Sequence, residues 1–190
     1  METKFNKNIN STPCTFLGRP VTQAFASFFL WEKLLNSIEF KRIIEFGTWR
    51  GNLSLYLFLF CFSKGAEFFT FDIKEYSSYK DERQKDILKE ILNFRQTFKK
   101  LDIFENIELI SSLIKRNGRT ILFCDNGNKI DEFKAFAPFL KVGDIIGVHD
   151  WEIEIFPSDV KEIVERENLE PFFLKECREI DDSIRFWKKC

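Results

Sequence analysis

Histidine and methionine occur once each in this chain of 190 residues, and the scarcities go further. The five cysteines (Cys14, Cys61, Cys124, Cys177, Cys190) are odd in number and far apart, and no two form a Cys-x-x-Cys pair. That pattern argues against a disulfide framework or a structural zinc site, and for a reducing, cytoplasmic setting. A charge excess is missing too. Lys and Arg number 29 against 30 Asp and Glu, so the net charge is −1 and no global field calls for nucleic acid or an acidic membrane. The longest apolar run, Leu53 to Phe62, is half of the about 20 residues that a membrane span needs, and reads as a helix buried on most sides. The opening METKFNKNINSTPC lacks the apolar segment of a signal peptide, so none is expected.

Apolar residues (44%) and charged residues (31%) stand in the balance of a soluble globular domain, with 24 phenylalanines spread through every segment as core filling. Residues 1–17 read as a flexible tail and 18–190 as a single domain. Val21 to Ser37 carries apolar residues at helical spacing. Arg42 to Glu45 is a strand apolar enough to be covered on both faces, followed by a Gly47–Gly51 turn and a helix over Asn52 to Ser63. A Phe-rich strand ends at Asp72. Lys80 to Lys100 has the periodicity of an amphipathic helix with a solvated outer face. Ile107 to Ile110 reads as a third strand, Thr120 to Cys124 as a fourth, Ile130 to Leu140 as a helix and Ile145 to Val148 as a fifth strand. Ser158 is the expected N-cap of a helix over Asp159 to Glu167. Pro171 to Lys175 and Ser183 to Trp187 read as closing strands. Strands alternating with helices predict an α/β fold, a mostly parallel sheet with helices on both faces.

Ligands of such sheets bind outside the carboxyl ends of the strands, near the point where strand order reverses. Every strand expected there ends in a polar side chain: Glu45, with Gly47, Thr48 and Gly51 in the turn after it, then Asp72, Ser111 and Ser112, Asp125, and finally His149 and Asp150. Glu45 to Gly51 has the spacing Glu-x-Gly-x-x-x-Gly. It is not the Gly-x-Gly-x-x-Gly of a dinucleotide site, and bulky Trp49 and Arg50 make a poor cradle for pyrophosphate. Asp72, 21 residues past Gly51, is placed to accept hydrogen bonds from ribose hydroxyls. Asp125 opens an Asp-Asn-Gly-Asn cluster that also suits a plain turn. His149 is the one side chain with an ordinary pKa near neutrality. Metal ligand, general base and structural hydrogen-bond partner are all open to it. Lys129 reads as a solvated lysine at a helix start. Trp151 suits either a substrate cover or the rim of the core.

With these residues in view, the chain resembles class I S-adenosylmethionine-dependent methyltransferases. ILFCDNGNK followed by EFKAFAPFLKVGDIIGVHDW, with FLGRPVTQ upstream, is similar to the branch of the cephalosporin-hydroxylase-like and macrocin O-methyltransferase-like proteins. The likeness runs over roughly Gly18 to Lys188. It implies a doubly wound, Rossmann-like sheet with an antiparallel closing strand, and O-methylation of a small-molecule or sugar hydroxyl. By the same resemblance Glu45, Gly47, Thr48 and Gly51 would line the methionine end of the cofactor, and Asp72 would hold the ribose. Ser111 and Ser112 would lie by the adenine, where relatives carry an acidic residue. Asp125, His149 and Asp150 would hold Mg²⁺, with His149 and Asp125 serving the reaction. A small-molecule partner is implied, neither nucleic acid nor membrane, and a homo-oligomer is compatible. Two other readings stand beside it: a relative that binds the cofactor without methylating, as a hydroxylase or binding protein, and a nicotinamide-dependent oxidoreductase. The glycine spacing disfavours the second.

Overall fold

A strand's side chains alternate between its two faces, and this period of two shapes the start of the chain's described structure at β2. The computed structural model describes residues 13–17, 19–74 and 97–190. β1 (Pro13–Phe16) and β2 (Arg19–Ala24) pair antiparallel as a hairpin. α1 (Phe25–Ser37) starts directly after it, so the helix expected from Val21 loses its first four residues to β2. Val21 and Gln23 point inward there while Thr22 points out, a period of two that a short stretch of mixed residues conceals.

The main sheet opens with β3 (Arg42–Phe46), α2 (Asn52–Lys64) and β4 (Glu67–Asp72). Next come β5 (Phe98–Lys100) and α3 (Ile107–Ile114). β6 (Thr120–Cys124) leads to α4 (Lys129–Phe136), which tightens into a 3₁₀ turn over Ala137–Phe139. β7 (Ile145–Val148), α5 (Pro157–Arg166), β8 (Leu169–Phe172), α6 (Leu174–Ile180) and β9 (Arg185–Lys189) complete the chain. The seven strands stand in the order β5-β4-β3-β6-β7-β9-β8. All run parallel except β9, which is antiparallel to both β7 and β8. Strand order reverses between β3 and β6, and that is where the carboxyl ends leave a crevice.

Side chains of β3 alternate between two cores. Ile43 joins Leu34, Leu57 and Ile180 under α1, α2 and α6. Ile44 and Phe46 join Ile110, Phe136 and Ile163 under α3, α4 and α5. Helices therefore cover both faces, as the run of apolar strands requires. Among the described residues no helix is long and apolar enough to cross a membrane. Cys61, Cys124, Cys177 and Cys190 are free thiols, the first three buried.

Four further expectations need correction. Ile107 to Ile110 is not a strand but the first half of α3. Ile107, Ile110 and Ile114 recur at helical spacing, and four apolar-rich residues cannot by themselves tell a strand from a buried helix turn. The strand at this place is β5, the end of the segment Lys80 to Lys100 expected to be helical; residues 80–96 of that segment lie outside the described part. At the carboxyl end of the chain the strand expected over Pro171 to Lys175 starts two residues earlier and stops at Phe172. Phe173 takes a left-handed φ of +59° and α6 follows, a short helix that no sequence signal marked. Finally, α5 is capped at Phe156 and not at Ser158. Pro157 occupies its first position, and the Asp159 carboxylate accepts the Phe156 N–H at 2.8 Å.

Gly47 has φ +94°, and a Cβ there would stand 2.4 Å from the Asp125 carbonyl oxygen. Because both strain and clash fall on backbone, Gly47→Ala should cost about 2–4 kcal/mol, read as a lower urea midpoint at unchanged slope.

Candidate functional site

Three strand ends are tied together by backbone before any side chain is considered. The Gly47 N–H donates to the Phe71 carbonyl at 2.9 Å, and the Asp125 N–H donates to the Phe46 carbonyl at 2.9 Å. Glycine at position 47 is therefore required by the neighbouring turn after β6, whatever approaches from outside. Gly51, at φ +72°, caps α2 and donates to the Thr48 carbonyl at 2.7 Å. Trp49 is also left-handed (φ +48°), and its N–H is held by Asp72 Oδ2 at 2.9 Å while its indole is 59% exposed. Asp72 Oδ1 accepts the Lys74 N–H at 3.0 Å. Each carboxylate oxygen thus holds one backbone donor and keeps a further lone pair for an incoming hydroxyl.

Glu45 lies deeper. It is 1% exposed, and its Oε2 accepts the hydroxyls of Ser54 at 2.5 Å and Thr70 at 2.6 Å. Thr48 continues the chain of hydroxyls, 2.6 Å from Thr70. Burial pushes the Glu45 carboxyl up to about 8, against the pull of Ser54 and Thr70, so near neutrality it is largely a carboxylic acid. The space between β2 and the glycine turn is a cavity of about 20 Å³ that Gln23, Gly47, Gly51 and Asp125 help to line. That is room for one water.

At the ends of β6 and β7 the side chains converge. His149 Nδ1 is 3.0 Å from Asp125 Oδ1 and 3.3 Å from Asp150 Oδ1. One ligand atom from each of these three residues lies within 4.8 Å of the others. Gln23, from β2, donates to Asp125 Oδ2 at 2.8 Å. Lys129, only 5% exposed, places its ammonium 3.0 Å from Asp150 Oδ2 and 2.7 Å from Glu154 Oε2. Burial on its own lowers the His149 value, but the charges and hydrogen bonds of Asp125 and Asp150 outweigh it and hold the imidazole at about 10. The His149 hydrogen bond, opposed by burial, draws Asp150 down to about 2. A protonated imidazole has no free lone pair, so His149 can neither ligate a cation nor take a proton until its own proton leaves.

Asp125, His149 and Asp150 are brought together; Gly47, Thr48, Gly51 and Asp72 form the adjoining turn. Ser111 and Ser112 are elsewhere. They sit inside α3, with hydroxyls donating to the Glu108 and Leu109 carbonyls of their own helix, because the strand that would have ended at them is β5. The carboxyl end of β5 offers Asp102 instead, whose Oδ1 accepts the Phe104 N–H at 2.8 Å. Lys129 is not solvated but buried among carboxylates. Trp151 is in the core, edge-on to Trp187 at 5.2 Å. Gln23 was missed because nothing in a hairpin sequence marks a contact 102 residues away.

Known structures share this arrangement of strands. A structure of cmcI with SAH superposes with a TM-score of 0.60 at 12% identity, over 94% of this chain and 84% of that one. A second cmcI structure, with Mg and SAM, gives 0.60 at 12% identity over 93% and 77%. MycE, a methyltransferase from the mycinamycin biosynthetic pathway in complex with Mg and SAH, gives 0.54 at 12% identity, over 84% of this chain and 47% of that one. The chain has the Rossmann-like α/β fold of these structures. No protein-family model and no curated protein matches it.

The raised His149 value sets a pH dependence for the metal-free protein. Its folded value of about 10 exceeds the ordinary 6.5, so the stability it adds is complete below about pH 6.5 and is lost as pH rises through 10. Asp150 acts oppositely: its contribution is present above its ordinary 3.8 and is lost as pH falls through about 2. NMR titration of the single histidine should show the high value, and Asp125→Asn should lower it by at least about 1 unit. A His149 that titrates near 6.5 would contradict the described contacts.

Proposed function

We propose that this chain is an S-adenosylmethionine-dependent O-methyltransferase for a hydroxyl of a small molecule or sugar, assisted by Mg²⁺. The observation that carries this reading is the convergence of Asp125, His149 and Asp150 beside the turn made by Gly47, Gly51 and Asp72, at the point where strand order reverses. The structures of cmcI and MycE with SAH or SAM and Mg support it through the shared fold.

Each end of the crevice has a separate task. Asp72 would accept the ribose hydroxyls with the lone pairs it keeps free, and Asp102 stands nearest in sequence to an adenine-side carboxylate after β5. Gly47, Thr48 and Gly51 would meet the methionine end. The cleft of about 20 Å³ there must open, so β2 with Gln23 would move away from the turn as cofactor enters. Asp125, His149 and Asp150 fit a divalent cation, since two carboxylates and one imidazole are suitable donors with positions left open. A cation bound there would lower the pKa of an acceptor hydroxyl. Lys129 neutralises the outer oxygen of Asp150 and fixes its direction. A sulfonium methyl is already activated, so these residues contribute mainly by orienting donor and acceptor and excluding water.

Calorimetry tests the cofactor half: S-adenosylhomocysteine should bind, and Asp72→Ala should weaken it by at least about tenfold. Binding of NADH in its place would overturn the assignment. For the metal half, Asp125→Asn and Asp150→Asn should each reduce Mg²⁺-dependent turnover by about 100-fold or more. Full turnover in EDTA would remove Mg²⁺ from the reaction.

A further inference from the structure

A wide cavity lies away from the glycine turn. It has a volume of about 690 Å³ and opens between α5, β8, α6 and the start of β9. That falls in the range of about 300–1,000 Å³ usual for small-molecule sites. Its floor is buried, with Trp151, Val160 and Trp187 from one core, while Phe186 beside them packs into the opposite core against Trp31 and Phe123. The exposed rim is charged. It carries Lys161 and Arg178 together with Glu152 and Glu165. Arg185, also at the floor, is already committed, with its guanidinium against Asp182 and the carbonyls of Asp182 and Ile184. The lining therefore carries no surplus of either sign. An apolar, ring-lined floor beneath a balanced polar rim suits a molecule that presents a ring face inward and hydroxyls outward.

The chain passes directly from the acid–histidine cluster to the cavity lining, since Asp150 is followed by Trp151 and Glu152. Asp150 (φ +56°) and Glu152 (φ +61°) are both left-handed non-glycine residues, and Trp151 stands between them. Two such residues within three cost about 1 kcal/mol or more each, and strain of that kind gathers at functional sites. The turn is held by the Trp151 N–H, which donates to the Ser183 carbonyl at 2.9 Å. Its effect is to give the Asp150 carboxylate to His149 and Lys129, and the Trp151 ring and Glu152 to the cavity. Arg185, over the Trp151 ring at 5.9 Å, closes the same corner.

We propose that this cavity is the recognition site for the methyl acceptor and takes an uncharged, hydroxylated ring compound, held beside the cluster by the strained turn Asp150–Glu152. The inference rests on the methyltransferase reading above. The chain contains four tryptophans, which gives a direct readout. Fluorotryptophan-labelled protein, assigned by Trp→Phe variants, is titrated with para-nitrophenyl β-glucoside, an uncharged probe with one aromatic and one hydroxylated ring. The fluorine resonances of Trp151 and Trp187 should shift saturably, and those of Trp31 and Trp49 should stay. Val164→Phe, which fills the cavity, should weaken the effect about tenfold, and Ser158→Phe at the exposed rim should do so without touching the core. Absence of a shift up to about 10 mM probe overturns the proposal, as does a shift unchanged in both variants or one that follows protein concentration and so reports a second copy in the groove. Calorimetry with S-adenosylhomocysteine on the same sample separates the two claims. Cofactor binding without a probe shift overturns the cavity alone. A probe shift without cofactor binding removes its role as acceptor site along with the methyltransferase reading.

Discussion

Everything at the crevice depends on one backbone contact. β3 and β6 are neighbours in the sheet, and past their last paired residues Gly47 lies directly against the Asp125 carbonyl. Only a residue without Cβ permits that approach, and the Asp125 N–H to Phe46 carbonyl bond locks it. The contact decides where the Asp125 carboxylate points, and so where His149, Asp150 and Gln23 must come to meet it. It also holds the glycine turn at the height from which Asp72 can reach the Trp49 N–H. Both halves of the site inherit their geometry from this junction.

The second constraint is electrostatic. Carboxylates taken out of water must be paired or protonated, and this site does both. Asp125 and Asp150 are paired, by His149, Lys129 and the Gln23 amide. Glu45 has hydroxyl partners but no cation, and burial holds it as an acid at neutral pH. Glu132, fully buried in α4, follows it: burial pushes it up to about 8 against the pull of Lys129. In the metal-free protein the imidazolium and the ammonium thus supply positive charge beside the same carboxylates that suit a divalent cation. A cation bound there would compete with the His149 proton, and its affinity would then depend on pH.

How much of this was legible in the sequence depended on the kind of signal. β6 and β7 were read to the residue, since an apolar run of four or five bounded by Asp, Asn and Gly has few other readings. The same holds for the glycine turn and Asp72, where spacing along one chain is itself the message. Ile107 to Ile110 failed because a short apolar run is ambiguous until hydrogen-bond partners are known, and β4 had chosen Phe98–Lys100 as its partner instead. The error carried Ser111 and Ser112 with it and hid Asp102. α6 was invisible because its start depends on a left-handed Phe173, which nothing in the residue type announces.

Local order fixes what depends on near neighbours: strand against helix, the glycine turn, the polar strand ends, and hence the fold class and the set of candidate side chains. Their states needed tertiary contact. Lys129 reads as a solvated lysine from its neighbours, yet it is buried because Asp150 and Glu154, more than twenty residues away, neutralise it. His149 reads as a group near neutrality, yet two carboxylates hold its proton. Gln23 carries no signal at all until β2 folds over Asp125. The reason is common to all three. A charge or a buried hydrogen bond is set by the groups within a few ångströms and by the water excluded around them, and both are properties of the folded chain alone.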